Sequence, residues 1–341
     1  MTGPSFNREF TKPPLRAGAP KLIRIGGMTQ TRREFVRILF VATQGVVAKR
    51  LMPTSLQAAP EAGGLNFLIF GDWGRQGDRD QVEVAGQMAK AAQDIGAKFV
   101  ISVGDNFYEN GVTSVSDPHW RASYEDVYHQ APLQIPWHVI LGNHDYHGNC
   151  EAQLAYHSTQ ARWNMPARYY PQSHVLDGGA RADFFYIDTT PMVKSYHTNR
   201  HTRGQVATQD VTGQLDWLKA GLAASKAQWK MVIGHHPIYS GGLHGDTPEL
   251  IETVLPLLRQ HGVQAYFNGH DHDLQHLKAG GVNLFDTGAG SEFRPTKNTR
   301  HTQWAKACSG FTTVQLLSDQ MNVRMIDNRG EMIYATTVPR S

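Results

Sequence analysis

Residues 99–108 read Phe-Val-Ile-Ser-Val-Gly-Asp-Asn-Phe-Tyr: an apolar run, a glycine, and at once an aspartate, an asparagine and a tyrosine. Phe99 to Val103 has the length and the β-branched and aromatic content of a buried strand. The glycine lets the chain turn sharply at the strand's end without a Cβ clash. The same design recurs four times. Gly71-Asp72-Trp73-Gly74 follows the run Asn66 to Phe70, and Gly142-Asn143-His144-Asp145 follows Trp137 to Leu141. Gly234-His235-His236-Pro237 follows Met231 to Ile233, and Gly269-His270-Asp271-His272 follows Ala265 to Phe267. Ligands of α/β sheets bind beyond the carboxyl ends of the strands, so five such loops predict one shared site.

The pattern around these loops supports an α/β fold. Phe184 to Ile187 and Val282 to Phe285 read as two more buried strands. Val211, Leu215, Leu218 and Leu222 fall on one helical face, and Thr247-Pro248 offers a cap and a first-turn proline for a helix over 250–258. Near the end of the chain, Phe311 to Leu317 and Met321 to Ile326 alternate apolar and polar residues. Asp327-Asn328-Arg329-Gly330 then turns the chain into Met332 to Thr336, which predicts a terminal antiparallel meander.

Composition removes several classes. The chain has 341 residues, 40% of them apolar, with 33 Lys plus Arg, 30 Asp plus Glu, 17 His and 2 Cys. Two cysteines cannot build a disulfide scaffold or a tetrahedral cysteine cage, and no apolar stretch is long enough for an ordinary membrane span. The small positive charge is unevenly placed: residues 1–50 hold ten basic and two acidic side chains, and the remainder holds 23 basic and 28 acidic ones. A mildly acidic body argues against nucleic acid as a partner. The basic leader contains Thr31-Arg32-Arg33-Glu34-Phe35-Val36-Arg37, the short apolar run Ile38 to Ala48, then Lys49-Arg50 and a small-residue stretch. It resembles a twin-arginine export signal and predicts a periplasmic or secreted protein that meets the export machinery and has no stable membrane insertion. Residues 1–60 are thus expected to be an extension, and 61–341 a single catalytic domain.

The loop residues define a donor set. Asp72, Asp105, Tyr108 and Asn143 offer hard oxygens, and His235, His270 and His272 offer imidazoles, a mixture suited to iron, manganese or zinc. Seven donors are too many for one small ion. They suit two ions joined by a carboxylate, an arrangement that clamps a phosphoryl group between metals.

Taken in order, the five blocks resemble the metallophosphoesterase superfamily, and within it the purple acid phosphatases of the small, tartrate-resistant type. The likeness covers residues 65–340. The superfamily pattern opens with Asp-x-His, but here the third position is Gly74, and the resemblance implies that Tyr108 of Gly-Asp-Asn-Phe-Tyr fills the vacancy. The same resemblance implies a four-layer α/β/β/α fold in which two sheets pack face to face between helices. It implies Fe(III) on Asp72, Tyr108 and His272, a second divalent ion (iron, zinc or manganese) on Asn143, His235 and His270, and Asp105 bridging. His144 and His244 match the pair that contacts substrate and serves catalysis, with Asp145 orienting His144. The implied activity is an acid phosphatase that hydrolyses small-molecule phosphate monoesters by direct attack of a metal-bound hydroxide.

Two rivals remain at this stage. One is a phosphodiesterase or nucleotide hydrolase of the same superfamily, against which Gly74 with Tyr108 speaks. The other is a metal- or phosphate-binding protein without turnover. His236, His276 and Asp273 depart from the small-type pattern or lie near it without an assigned role, and Cys150 and Cys308 are left unpaired or paired by the sequence.

Overall fold

A computed structural model of the chain describes residues 63–340; the twin-arginine segment lies outside the described residues. Fourteen strands are present in that region: β1 (Leu65–Phe70), β2 (Phe99–Ser102), β3 (Trp137–Val139), β4 (Trp163–Asn164), β5 (Tyr170–Val175), β6 (Arg181–Tyr186), β7 (Trp229–Ile233), β8 (Ala265–Asn268), β9 (Leu274–Ala279), β10 (Val282–Thr287), β11 (Thr302–Lys306), β12 (Gly310–Leu316), β13 (Gln320–Asp327) and β14 (Met332–Pro339). They form two seven-stranded sheets, ordered β14-β13-β12-β1-β2-β3-β4 and β11-β9-β10-β8-β7-β6-β5. Each sheet has a parallel centre, β1 to β4 in one and β6, β7, β8 and β10 in the other. Antiparallel strands flank both centres, and the expected C-terminal meander β12-β13-β14 adds to the first sheet through β1.

Strand periodicity explains the layering. Along β1, Leu65, Phe67 and Ile69 face the core between the sheets, while Leu68 and Phe70 face the opposite side. Phe67 stacks on Phe99 at 4.8 Å within its own sheet and meets Phe184 of the other sheet edge-on at 5.5 Å. The outer face of the first sheet is covered by helix α1 (Gln81–Ile95), through Val84, Ala85 and Met88. The outer face of the second is covered by α2 (Val211–Ala224) and α3 (Pro248–Gln260), which bury Leu218, Leu222, Leu250, Val254 and Leu258 against Val232, Tyr266 and Leu284. The layers are therefore helix, sheet, sheet, helix, as the sequence leads one to expect.

Two local expectations are corrected, and the open question of the cysteines is answered. Pro248 is the first residue of α3, but the Thr247 side chain makes no cap hydrogen bond, so the helix starts on proline geometry alone. Cys150 is buried and Cys308 half-buried, and both are free. The helical face at 211–222 is only half as buried as its spacing suggests, since Val211 and Leu215 are partly covered.

Candidate active site

All five glycine loops leave the carboxyl ends of parallel strands β1, β2, β3, β7 and β8, and backbone hydrogen bonds tie the first to the second and the fourth to the fifth. Asp72 N donates to Gly104 O (3.0 Å), Tyr108 N to Gly74 O (2.8 Å) and Gly269 N to His235 O (3.0 Å). Gly74 owes its identity to this contact, because a Cβ there would collide with the Asn106 carbonyl oxygen. No side chain of any kind fits at the third position of the first loop, so a ligand for that place must come from elsewhere. Beneath the loops, Trp73 is fully buried, packs on Phe70, Phe107, Tyr128 and Trp137, and donates from Nε1 to Ser102 Oγ (2.8 Å). That aromatic floor leaves the loop little room to move.

The Tyr108 hydroxyl is the meeting point. It lies 2.8 Å from Asp72 Oδ1, 3.0 Å from Asp105 Oδ2 and 3.0 Å from His272 Nε2, and His272 Nε2 is 3.4 Å from Asp72 Oδ1. The same Asp105 Oδ2 is 3.4 Å from His235 Nε2, whose other neighbour is Asn143 Oδ1 at 3.2 Å. One carboxylate oxygen thus stands between an oxygen-rich group and a His-Asn group. His235 Nδ1 is fixed by Val103 O (2.9 Å), which leaves Nε2 facing the site. His270 lies beside His235, with ring centroids 5.1 Å apart, and its backbone N donates to Asp72 Oδ2 (3.1 Å). All seven sequence-predicted donors are therefore brought together. Asp72, Asp105 and His270 adopt left-handed backbone angles (φ 60°, 49° and 73°), a conformation that costs non-glycine residues energy and recurs at functional sites.

These residues fit cations. Asp72 and Asp105 are fully buried beside a phenol oxygen and, among the described residues, no lysine or arginine is bonded to their carboxylates. Burial of that charge is costly unless a positive ion compensates it. Burial raises the Tyr108 hydroxyl pKa well above the usual tyrosine value, and the neighbouring Asp105 and Asp72 raise it further, against an opposing pull from Arg75. Burial also pushes the Asp105 carboxyl up, but His235 and His144 outweigh it and hold it well below the usual range. His235 shows the reciprocal effect: burial pushes it down, Asp105 more than compensates, and its pKa rises to about 9. Burial, then His236 and His235, push His270 well below the usual histidine value, which keeps it neutral and ready to ligate.

His236 is close enough to join this group, since ligand atoms of His235, His236 and His270 lie within 4.8 Å of one another. Both its ring nitrogens are engaged, however, Nδ1 with Thr189 Oγ1 (2.8 Å) and Nε2 with Tyr196 OH (3.0 Å), so it supports His270 from behind. His276 is structural, held by Tyr334 OH (2.8 Å) and Asn283 Oδ1 (3.1 Å). Burial raises Asp273 to about 7, and its Oδ1 accepts from Gln275 Nε2 (2.7 Å).

The two outer histidines flank the donor set. The His144 ring lies 4.5 Å from the Tyr108 ring, with Nδ1 2.7 Å from Glu109 O and its backbone N donating to Asp105 Oδ1 (2.8 Å). The His244 ring stacks on His270 at 4.2 Å, and its backbone N donates to Asp271 Oδ1 (2.7 Å). Asp145 does not orient His144, contrary to expectation. Its carboxylate turns inward and accepts from Gly142 N (2.8 Å), Asn106 N (3.1 Å), Asn106 Nδ2 (3.2 Å) and Gln153 Nε2 (2.7 Å), pinning the second loop to the third.

A sixth loop, after β10, was missed by sequence reasoning. Ser291 Oγ donates to Asp72 O (2.7 Å), and Glu292 approaches His272 Nδ1 at 3.0 Å without hydrogen-bond alignment. Arg75, also missed, places its guanidinium 3.8 Å from the centre of the Tyr108 ring and pairs with Glu109 (2.7 Å) and Glu292 (3.1 Å). The signal existed for the loop: a strand-like run ending near Gly288 and followed by a carboxylate repeats the design of the other five.

The sequence matches the family model of calcineurin-like phosphoesterases over residues 65–274. It is 35% identical to purple acid phosphatase 17 of Arabidopsis thaliana, over 90% of this chain and 94% of that one. It is 33% identical to human tartrate-resistant acid phosphatase type 5, over 85% of this chain and 95% of that one. Among solved structures, it is similar to a protein described as GAP50, the anchor in the inner membrane complex of Plasmodium (TM-score 0.73, 25% identity, 82% of this chain and 90% of that one). A purple acid phosphatase from yellow lupin (Lupinus luteus) seeds shares the fold, with TM-score 0.61 and 15% identity over 81% of this chain and 54% of that one.

Proposed function

Because the chain belongs to the calcineurin-like phosphoesterases and, within them, to the purple acid phosphatases, it is an acid phosphatase of the dinuclear-metal type, and we propose which residues carry that activity. Asp72, Tyr108 and His272 would hold Fe(III), Asn143, His235 and His270 would hold a second divalent ion, and Asp105 would serve both. The observation that carries this assignment is the position of Asp105 Oδ2, 3.0 Å from the Tyr108 hydroxyl and 3.4 Å from His235 Nε2. When bound, the two cations supply Lewis acidity, both acidifying a water and neutralising phosphoryl oxygens.

The protein's own groups do the rest. Asp105 and Asp72, fixed by the backbone amides of His144 and His270, set the spacing of the cation sites. His144 and His244 stand on opposite sides and hydrogen-bond the phosphoryl oxygens of a monoester, and either can deliver a proton to the departing alkoxide. His144 is the better anchored of the two, through Glu109 O. The GAP50 neighbour is named as an anchor, but the full donor set kept here favours turnover over a scaffold role.

Hydrolysis of aryl phosphate monoesters and diesters by the metal-loaded protein tests this assignment. Rapid monoester cleavage in acid that is lost in Asp105→Asn supports it. A protein that loads two metals and cleaves no phosphate ester would overturn the catalytic assignment, and faster diester cleavage would favour the phosphodiesterase alternative.

Export through the twin-arginine route, delivering the protein to the periplasm or beyond, belongs to the same proposal. Residues 28–60 fused to a reporter should lose export when Arg32 and Arg33 are both changed to Lys; unimpaired export would refute it. Among the described residues no helix is long and apolar enough to cross a membrane.

A further inference from the structure

Glu292 gathers an unusual number of cations. Its Oε1 accepts from Arg75 Nη2 (3.1 Å) and Arg294 Nη2 (2.9 Å) and lies 3.0 Å from His272 Nδ1, while its Oε2 pairs with Arg79. The side chain is only 12% exposed. Three guanidiniums and an imidazole share one carboxylate, so removing it leaves mutually repelling charges close together.

Two of those partners face the reaction from different sides. His272 presents Nε2 to Tyr108 and Asp72, with Glu292 at the opposite nitrogen of the same ring. That carboxylate stands 3.0 Å from the nitrogen without being aligned as a hydrogen-bond acceptor, so it acts on the ring by close charge contact, and a small rotation would let it accept from Nδ1 and orient a ligating imidazole. Arg294 reaches the other way: its Nη1 lies 3.3 Å from His244 Nε2, and its backbone N donates to His272 O (2.7 Å). Arg294 is one-third exposed, and among the described residues its guanidinium is held by Glu292 and the His244 contact alone.

We propose that Glu292 is a positioning residue of the active site: one carboxylate stands against His272 at its Nδ1 side, poised to accept from it once the ring ligates, and holds Arg294 against His244, so that the metal-binding and substrate-facing imidazoles are set together. Glu292 has this role only if the chain is the dinuclear phosphatase proposed above. An alternative in which Glu292 merely neutralises a basic loop predicts a loss of stability with no selective effect on either imidazole.

Metal titration of the apoprotein and steady-state kinetics on an aryl monoester separate the two. Glu292→Ala should weaken metal uptake about 10- to 100-fold, the range for loss of an outer carboxylate, and should raise KM. Arg294→Ala should raise KM while leaving metal affinity within about twofold, because it does not touch His272 Nδ1. The double variant should show a KM no higher than Glu292→Ala alone, since both remove the same support from His244. Glu292→Gln keeps the shape and an acceptor, guards against a folding failure, and should recover part of the metal affinity. Metal affinity unchanged in both Glu292 variants, or KM effects that multiply independently in the double variant, would overturn the proposal. Failure of the dinuclear assignment would instead show in the wild-type protein, as no metal uptake at all.

Discussion

Replacing Asp145 by Ala separates a buried brace from an orienting partner. Asp145 is fully buried and its carboxylate accepts from three donors with no other acceptor, Gly142 N, Asn106 N and Gln153 Nε2, and from Asn106 Nδ2, which also bonds Ile140 O and Gln153 Oε1. Each donor left unsatisfied in a buried place costs about 1–3 kcal/mol. The three share one neighbourhood and relax together, so the sum is less than additive and comes to about 3–6 kcal/mol. That is a large part of a typical stability of about 5–15 kcal/mol and corresponds to a fall in Tm on the order of 10 °C. Equilibrium urea unfolding reads it as a lower midpoint at unchanged slope. Because Asn106 follows Asp105 and Gly142 precedes Asn143, metal affinity should fall in parallel. A variant with the wild-type urea midpoint and a kcat reduced a hundredfold would refute the brace and restore Asp145 as the partner of His144.

Stability in acid should depend on His138. Burial, with a smaller push from His174, lowers its pKa to about 3, and it sits against Phe99 and Tyr186 with Nε2 2.8 Å from Gln172 Nε2. A histidine depressed on folding contributes stability that is complete above the unfolded value near 6.5 and is lost as pH falls towards 3; at pH 5 the loss is about 2 kcal/mol. His138→Gln should therefore flatten the decline of stability between pH 6.5 and 4 relative to wild type, and an identical decline in chemical unfolding would count against this. Gly74→Ala forces a Cβ into the Asn106 carbonyl and should cost about 1–3 kcal/mol, whereas Gly86→Ala, in α1 with nothing within 4 Å, should stabilise by about 0.5–1 kcal/mol. Thermal unfolding of the two variants side by side checks both signs.

Much of the site was readable because its residues sit in consecutive loops of one design. Strand ends at Phe70, Ser102, Val139, Ile233 and Asn268 are each followed by a glycine and a donor within a few residues, and parallel strands aim their carboxyl ends the same way. The strands that escaped notice lack a continuous apolar run. β5 is buried only at Tyr170 and otherwise alternates exposed and half-buried residues at a sheet edge, and β9 and β11 carry Gln, His, Lys and Thr. Helix α1 was hidden because its buried face is made mostly of small residues, Ala85, Ala89, Ala91 and Ala92, with Val84 and Met88 as its larger apolar side chains. Asp145 was misassigned because neighbours in sequence need not face each other: His144 turns out to Glu109 while Asp145 turns in to Gln153. Arg75 and Glu292 are separated by 217 positions, and no local pattern can join them.

The shared Asp105 carboxylate and the Tyr108 phenol are tested most directly by a visible absorption spectrum with metal analysis of the purified, oxidised protein, taken for wild type and Tyr108→Phe. A phenolate on Fe(III) predicts two metal ions per chain and a purple charge-transfer band that disappears when the hydroxyl is removed. One ion per chain, or a band that survives in Tyr108→Phe, would contradict the assignment.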